Sequence, residues 1–161
     1  MDEAITRYLR TVYSLAIGSQ TAEAIKIAIG SAVARGPEET TEVRGRHLIT
    51  GLPTQIQLRS EEVRTAIAGP LHEIVEAIKD TLEQTPPELT GDIARDGILL
   101  AGGGTLLRGF PEFVAVETGV PVFRATSPLT CVVTGSGQAL DHFDQLSRSG
   151  TAGRWPGRAG T

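Results

Sequence analysis

The chain has 161 residues, 40% of them apolar, with 15 basic and 19 acidic side chains that give a formal net charge of −4. This is enough for one or two compact units with a buried core, whereas the scattered basic residues form no stripe that would follow nucleic acid. A single cysteine, Cys131, excludes an intramolecular disulfide and a cysteine-based metal cluster, and no uncharged apolar stretch is long enough to cross a bilayer. We therefore expect a cytoplasmic protein without nucleic-acid partner, metal ligands or membrane insertion, in which Cys131 is a small buried residue.

Two helices are predicted at the start of the chain. Apolar residues recur at three- and four-residue steps between positions 2 and 17, which is typical of one helix face, and Gly18 ends this helix. Thr21 offers an N-cap for a second, shorter helix that we expect to close at Gly30.

A β-hairpin and a long helix are predicted next. Alternating segments near residues 41–49 and 54–58 are separated by glycine and proline, which is typical of two antiparallel strands. Ser60 is the expected cap of a helix whose apolar positions stay in helical phase as far as Leu82. This helix is the strongest periodic signal in the chain.

The last part of the chain predicts an α/β layer. A short helix over 87–95 comes first, and a buried strand at 97–101 follows it. A helix over 110–119, a second strand at 120–125 and a helix capped by Ser127 complete the pattern. Because strand, helix and strand follow in that order, we expect the two strands to pair in parallel.

The stretch "GILLAGGGTLLRG", residues 97–109, carries the clearest hint of chemistry. A strand that ends in glycines and leads into a helix places amide donors at the carboxyl edge of a sheet, where a phosphate or sugar can approach bare main chain. The spacing matches neither GxGxxG nor GxxxxGK[ST], so the Rossmann and P-loop explanations fail. The residues leave open a second interpretation, in which the glycines only allow two elements to pack closely.

Several segments resemble one known family, in the same order and over residues 1–141. The run "GILLAGGGTLLRGFPEFVAVETGVPVFRATSPLTCVVTGSGQAL" is similar to the closing segment of MreB, the bacterial actin that determines rod shape. "MDEAITRYLRTVYSLAIGSQTAEAIKIAIGSA", "EVRGRHLITGLP" and "IKDTLEQTPPEL" are similar to the segments that precede it. The resemblance implies an α/β fold of the actin-like, ribonuclease H-like kind.

The resemblance further implies that the chain supplies the second lobe of that fold, with an inserted subdomain made of a helix and a β-hairpin. Residues 1–19 and 61–146 would form subdomain IIA with the final helix, and residues 20–60 would form subdomain IIB. Residues 147–161 are rich in glycine and arginine and predict a disordered tail. Both phosphate-binding loops of the family are expected upstream of this chain.

The resemblance also implies which residues bind a nucleotide. The triple glycine of the family contacts the adenosine and α-phosphate side, which carries over to Gly102, Gly103 and Gly104. The "TAEAIK" segment borders the adenine and ribose, so Glu23 would accept from ribose hydroxyls and Lys26 would lay its stem along the base. An exposed charge pair between Glu23 and Lys26, three residues apart on one helix, remains the alternative.

We expect no enzymatic activity from this chain alone. Phosphoryl transfer needs a carboxylate-held Mg²⁺, donors around the outer phosphates and a residue that orients water, and we identify no catalytic residue of this kind. The carboxylates have the spacing of solvated helix faces, and no serine or cysteine is spaced to act as a nucleophile with a histidine. ATP or ADP binding should therefore be weak or absent, with Mg²⁺ bound only through the missing lobe.

The implied function is that of an MreB-like component of the cell-shape cytoskeleton. One half of the longitudinal filament contact would be present, so full-length MreB-like subunits are the expected partners, by co-assembly or capping. Partners would bring the chain to the inner face of the membrane, and uncovered helices should expose apolar surface. Two alternatives stay open, namely a lobe of another actin-superfamily ATPase of the chaperone or sugar-kinase type, and a non-functional truncated remnant.

Overall fold

The predicted order of helices and strands is largely present in the computed structural model, which describes residues 1–34 and 36–143. The tail predicted at 147–161 lies outside the described residues. Along the described chain the elements are α1 (Asp2–Tyr13), β1 (Leu15–Ala16), α2 (Ser19–Ile29), β2 (Thr40–His47), β3 (Pro53–Arg59), α3 (Ser60–Glu83), α4 (Pro87–Asp96), β4 (Ile98–Leu100), a 3₁₀ helix (Gly103–Leu106), α5 (Phe110–Thr118), β5 (Val122–Arg124) and α6 (Cys131–Asp141).

The predicted hairpin forms the larger of two sheets. β2 and β3 pair antiparallel, with Val43 opposite Ile56. Along each strand, more buried side chains such as these two alternate with exposed polar ones. β1 adds a third strand on the other side of β2, with Leu15 opposite His47.

The second sheet pairs β4 with β5 in parallel, as the strand, helix and strand order predicts. Ile98 lies opposite Val122, and α5 makes the crossover between the two strands. The carboxyl end of β4 therefore leads into the turn formed by Gly102, Gly103 and Gly104, called the glycine turn below, at the edge where parallel sheets present their binding sites.

The first helix is shorter than predicted. It ends at Tyr13 because Ser14 adopts a left-handed conformation with φ of 50°, and Leu15–Ala16 then run extended beside β2. The Ser14 carbonyl accepts the amide of Leu48 at 2.7 Å, which fixes this exit. The expectation of a helix over 2–17 was wrong at its end because Leu15 fits the apolar period of a helix and also a buried strand position.

Two other predicted helix starts were also wrong. The second helix begins at Ser19 with Gly18 at its N-cap, two residues before Thr21. The last helix begins at Cys131, because Thr130 before it departs from the helical conformation, with φ of −120° and ψ of −11°. Cys131 itself is half-buried, not fully buried as expected.

One apolar cluster joins the elements around the long helix α3. Ile67 of α3 is fully buried and belongs to the same cluster as Leu9 of α1, Ile25 of α2 and Val43 of β2. Leu107, Phe110 and Val114 extend this cluster to the segment that follows the glycine turn. The core thus includes residues from both proposed subdomains, and the boundaries of those subdomains stay a prediction.

Exposed apolar side chains concentrate towards the end of the described chain. None of the α6 side chains is buried, although several of them are large and apolar. The exposed large apolar side chains of this region are Leu99, Leu106, Val116, Phe123, Leu129, Val132, Val133, Leu140 and Phe143. No helix in the described part of the chain has the length and apolar content needed to cross a bilayer.

Glu62 fastens the start of α3 to α1. The helix begins at Ser60, which was predicted as its cap, but the carboxylate of Glu62 accepts the Arg59 amide at 3.0 Å instead. The other oxygen of Glu62 accepts the hydroxyl of Tyr13 at 2.6 Å and that of Tyr8 at 3.3 Å. Burial alone raises the pKa of Glu62, but these hydrogen bonds outweigh it and hold the pKa below its ordinary value. The hydrogen bond between Tyr13 and Glu62 also raises the pKa of Tyr13 to about 12.

Replacing Tyr13→Phe should destabilise the fold by about 1–2 kcal/mol at neutral pH, because the ionised Glu62 loses its short hydrogen bond. Since the pKa of Glu62 is lowered in the folded state, its contribution is present at neutral pH and is lost as pH falls through the folded pKa. Urea unfolding of both proteins over a series of pH values from 7 downwards checks this. Tyr8→Phe, whose bond is longer, is the control with a smaller loss. A loss from Tyr13→Phe that stays the same after Glu62 has been protonated in the folded protein would contradict the assignment.

Candidate functional site

A cavity of about 550 Å³ lies between α2 and the glycine turn. Four of the five residues predicted to bind a nucleotide line it, namely Glu23 and Lys26 from α2 and Gly103 and Gly104 from the 3₁₀ helix. Gly102, the fifth, immediately precedes the 3₁₀ helix as its N-cap. The remaining lining residues are Met1, Ile27, Gly30, Leu106, Leu107, Arg108 and Leu129.

The three positions of the glycine turn differ in whether the structure requires a glycine there. Gly102 has φ of 90° and ψ of 165°, a conformation open essentially to glycine alone, and its amide donates to the Pro128 carbonyl at 2.7 Å. A Cβ on Gly103 would lie 3.2 Å from Leu129 Cδ2, so close packing also bears on that position. A Cβ on Gly104 would meet nothing within 4 Å.

A side chain at Gly104 would therefore enter open space, whereas one at Gly103 would press against Leu129. The first amides of a 3₁₀ helix have no partner within the helix itself, and those of Gly103 and Gly104 belong to residues that line the cavity. The close-packing interpretation explains Gly103 but not Gly104, whose surroundings would admit a side chain.

The charged residues of α2 do not pair with each other. Lys26 Nζ lies 2.8 Å from Asp2 Oδ1, in the first turn of α1, and the Lys26 side chain is 23% exposed. Glu23 is exposed, and it takes part in none of the ion pairs of residues 1–34 and 36–143. The alternative, in which Glu23 and Lys26 form an exposed ion pair with each other, is therefore wrong. Lys26 pairs instead with Asp2, across the interface between α1 and α2.

Arg108 connects the two walls of the cavity, and this role was not identified from the sequence. Its guanidinium binds both carboxylate oxygens of Glu39 at 2.8 Å and donates to the carbonyl of Ala28, near the end of α2, at 2.5 Å. Its own carbonyl accepts the amide of Ala32 at 2.8 Å, and it forms a parallel bridge with Ser31. The chain after the glycine turn is thereby held against the end of α2.

Ile27 and Leu129 were also missed as lining residues. They are both 69% exposed and come from opposite walls of the cavity, α2 and the turn before α6. Exposed apolar side chains at the rim of a cavity could have been found only with the fold in hand, since the period of α2 assigns Ile27 simply to its outer face.

A larger cavity of about 720 Å³ lies on the other side of Arg108 and is lined by several charged side chains. Arg64 donates there to Ser31 and Glu38, and Arg108 is bound to Glu39, so these two arginines are satisfied within the protein. Among the residues that the structure describes, no group of three or more His, Cys, Asp or Glu side chains could hold a metal ion. The smaller cavity, with its bare backbone and exposed Glu23, is the better candidate site.

Comparison with known proteins gives matches along most of the chain. The family described as MreB/Mbl protein matches residues 1–148. The cell shape-determining protein MreB of Escherichia coli (strain K12) is 48% identical over 143 residues, which cover 89% of this chain and 41% of that protein. The cell shape-determining protein Mbl of Bacillus subtilis (strain 168) is 41% identical over 147 residues, covering 91% and 44%. The chain thus spans less than half the length of these relatives.

Solved structures agree with these matches. MreB5 of Spiroplasma citri bound to ADP superposes with a TM-score of 0.86 at 35% identity, covering 91% of this chain and 45% of that one. The MamK double helical filament superposes with a TM-score of 0.62 at 23% identity, over 79% and 39% of the two chains, which shows likeness of fold alone. The expected actin-like α/β fold is therefore confirmed, whereas the inserted subdomain stays a prediction.

The glycine turn offers a test of its backbone geometry. Gly102→Ala should destabilise the fold by about 1–3 kcal/mol, because an alanine must adopt the strained conformation that glycine takes there. Gly104→Ala is the matched control and should change the stability by less than about 0.5 kcal/mol, since its Cβ enters open space. Urea unfolding monitored by circular dichroism measures both. Equal stability losses in the two variants would be incompatible with this geometry.

Proposed function

We propose, since this chain belongs to the MreB/Mbl family, that it provides the adenosine-facing wall of an adenine-nucleotide cleft in a protein of the cell-shape cytoskeleton. The observation that carries the proposal is the cavity that joins Glu23 and Lys26 to Gly103 and Gly104. Support comes from MreB5 of Spiroplasma citri, which is described in complexes with ADP and with AMPPNP and superposes over more than nine-tenths of this chain.

Each of the five residues predicted from the sequence has a role in this proposal. Glu23, exposed and without an ion pair in the described chain, accepts hydrogen bonds from the ribose hydroxyls. The stem of Lys26 packs along the base, as long basic side chains do on apolar surfaces. The amides of Gly103 and Gly104 approach the sugar and the α-phosphate, and Gly102 gives the turn the conformation that aims them.

The outer phosphates and Mg²⁺ are held elsewhere in this proposal. Transfer of a phosphoryl group depends on positioned donors and on a metal that neutralises developing charge. The described residues around the cavity offer one uncommitted carboxylate, that of Glu23, which is assigned here to the ribose. The 161-residue chain therefore binds ATP or ADP weakly and does not hydrolyse ATP.

The proposed partners are full-length MreB-like subunits, with which the chain co-assembles or which it caps. The exposed apolar side chains of α6, such as Val132 and Val133, favour a chain that packs against something else. These partners bring it to the inner face of the membrane from the cytoplasm. Family membership favours this role over a lobe of a chaperone or sugar kinase, and the remnant hypothesis is left to experiment.

Binding of adenine nucleotides by the purified chain should be millimolar or weaker, because one wall of a cleft buries only part of the ligand. Chemical shifts of the ¹⁵N-labelled protein, titrated with ADP, measure the affinity, and the shifted amides should include Gly103 and Gly104. Glu23→Ala should weaken binding, whereas Glu73→Ala, exposed on α3 outside this cavity, should leave it unchanged. Submicromolar affinity for ATP, or phosphate release above that of the buffer, would refute the proposal.

Co-sedimentation separates an assembly module from a remnant. The chain is mixed with a full-length MreB, with ATP and without it, and spun under conditions that pellet filaments. We expect the chain in the pellet only together with the full-length protein and more of it with ATP, because longitudinal contacts follow filament formation. The chain spun alone is the control for aggregation. Absence of co-pelleting in both conditions would remove the assembly hypothesis.

A further inference from the structure

Two cationic side chains line the candidate nucleotide cavity, and both are bound to carboxylates of this chain. The guanidinium of Arg108 binds both oxygens of Glu39 at 2.8 Å. Lys26 Nζ lies 2.8 Å from Asp2 Oδ1, with the two side chains only 23% and 39% exposed. Asp2 itself does not line the cavity, so it reaches a ligand there only through Lys26.

We propose that Asp2 is a positioning residue that binds the ammonium group of Lys26. The stem of Lys26 then contacts the nucleoside, and its charge does not bind phosphate. The inference rests on the proposed nucleotide site and deepens it. An ammonium group held at one end fixes the direction of its four-carbon stem, and that stem remains along the cavity. Its charge is neutralised by the partner carboxylate, so little attraction is left for a phosphate oxygen.

Asp2 therefore sets the preference of the cavity between adenosine and its phosphates. Without the carboxylate, Lys26 becomes a free cation beside the ligand and its side chain regains rotamer freedom. A unit charge about 4 Å from a phosphate oxygen in water changes an affinity about fivefold. The nucleoside gains nothing from that charge and loses the ordered stem, so the two ligands respond in opposite directions.

The experiment measures the affinity of the full 161-residue chain for adenosine and for ATP, without Mg²⁺ and at low salt, by titration of its amide chemical shifts. Asp2→Asn should raise the ratio of ATP affinity to adenosine affinity about fivefold, and high salt should remove the increase. Asp2→Glu, which keeps the carboxylate, should leave the ratio near that of the wild type. Glu3→Gln removes the same charge from the neighbouring residue, which does not line this cavity, and should leave the ratio unchanged. Met1, which also lines the cavity, is common to all of these proteins.

A double-mutant cycle shows whether Lys26 carries the effect. In the Lys26→Gln background, Asp2→Asn should no longer change the ratio, because no cation remains to be released. Lys26→Gln alone leaves Asp2 and the start of α1 unchanged. If the charge of Lys26 is neutralised by Asp2, this variant should lower the affinities for adenosine and for ATP by similar factors. If Lys26 instead binds phosphate, the variant should lower the affinity for ATP more.

The outcomes distinguish this inference from the function on which it rests. An unchanged ratio in Asp2→Asn, or an equal change in Glu3→Gln, overturns the positioning role while nucleotide binding stands. A selective loss of ATP affinity in Lys26→Gln overturns it as well. If no amide of the cavity, those of Gly103 and Gly104 included, shifts when adenosine and ATP are raised to their solubility limits, both the site and the inference are rejected.

Discussion

The contacts of Arg108 with the end of α2 are the constraint on which the candidate site depends. Helix α2 ends with carbonyl groups that have no partner within the helix, and the Arg108 guanidinium donates to one of them, that of Ala28. The main chain of Arg108 meanwhile accepts the amide of Ala32. A cation near a helix C-terminus is also favoured by the helix dipole. The bond to Ala28 joins residues 80 apart in sequence and holds the two walls of the cavity together.

The shared core makes that connection rigid. Leu107, next to Arg108, is buried in the same apolar cluster as Ile25 and Ile29 on the inner face of α2. The outer face of α2 then presents Glu23 and Lys26 to the cavity, since residues three apart lie on one side of a helix. The packing of α2 against the core thus determines which of its side chains can meet a ligand.

The electrostatics of the cavity bear on the proposal that it is one wall of a nucleotide cleft. Its two cations are bound to Asp2 and Glu39, and Glu23 is left exposed. Such a wall suits hydrogen-bond donors on a sugar better than the charges of a phosphate chain. The unburied apolar face of α6 is likewise a surface that another partner would cover. Both features agree with a chain that spans 41% of the length of its MreB relative from Escherichia coli.

Local pattern determined the elements and their type. The period of α3 from Val63 to Val75, the alternation of the hairpin and the strand, helix and strand order around α5 could all be predicted, because each depends on neighbours within a few residues. The family resemblance added the candidate residues, four of which line one cavity.

Tertiary structure alone decided the partners. Leu15 has an apolar side chain that suits a helix or a strand, and only the presence of β2 beside it makes it a strand. Lys26 could pair with Glu23 one turn away, but the packing of α1 on α2 brings Asp2 to its ammonium group. The residues next to Arg108 in sequence do not indicate its role, because its hydrogen-bond acceptors, Glu39 and Ala28, lie on segments far away in sequence. Residue periodicity reports which side of an element is buried, whereas the choice of a distant partner depends on how the elements pack together.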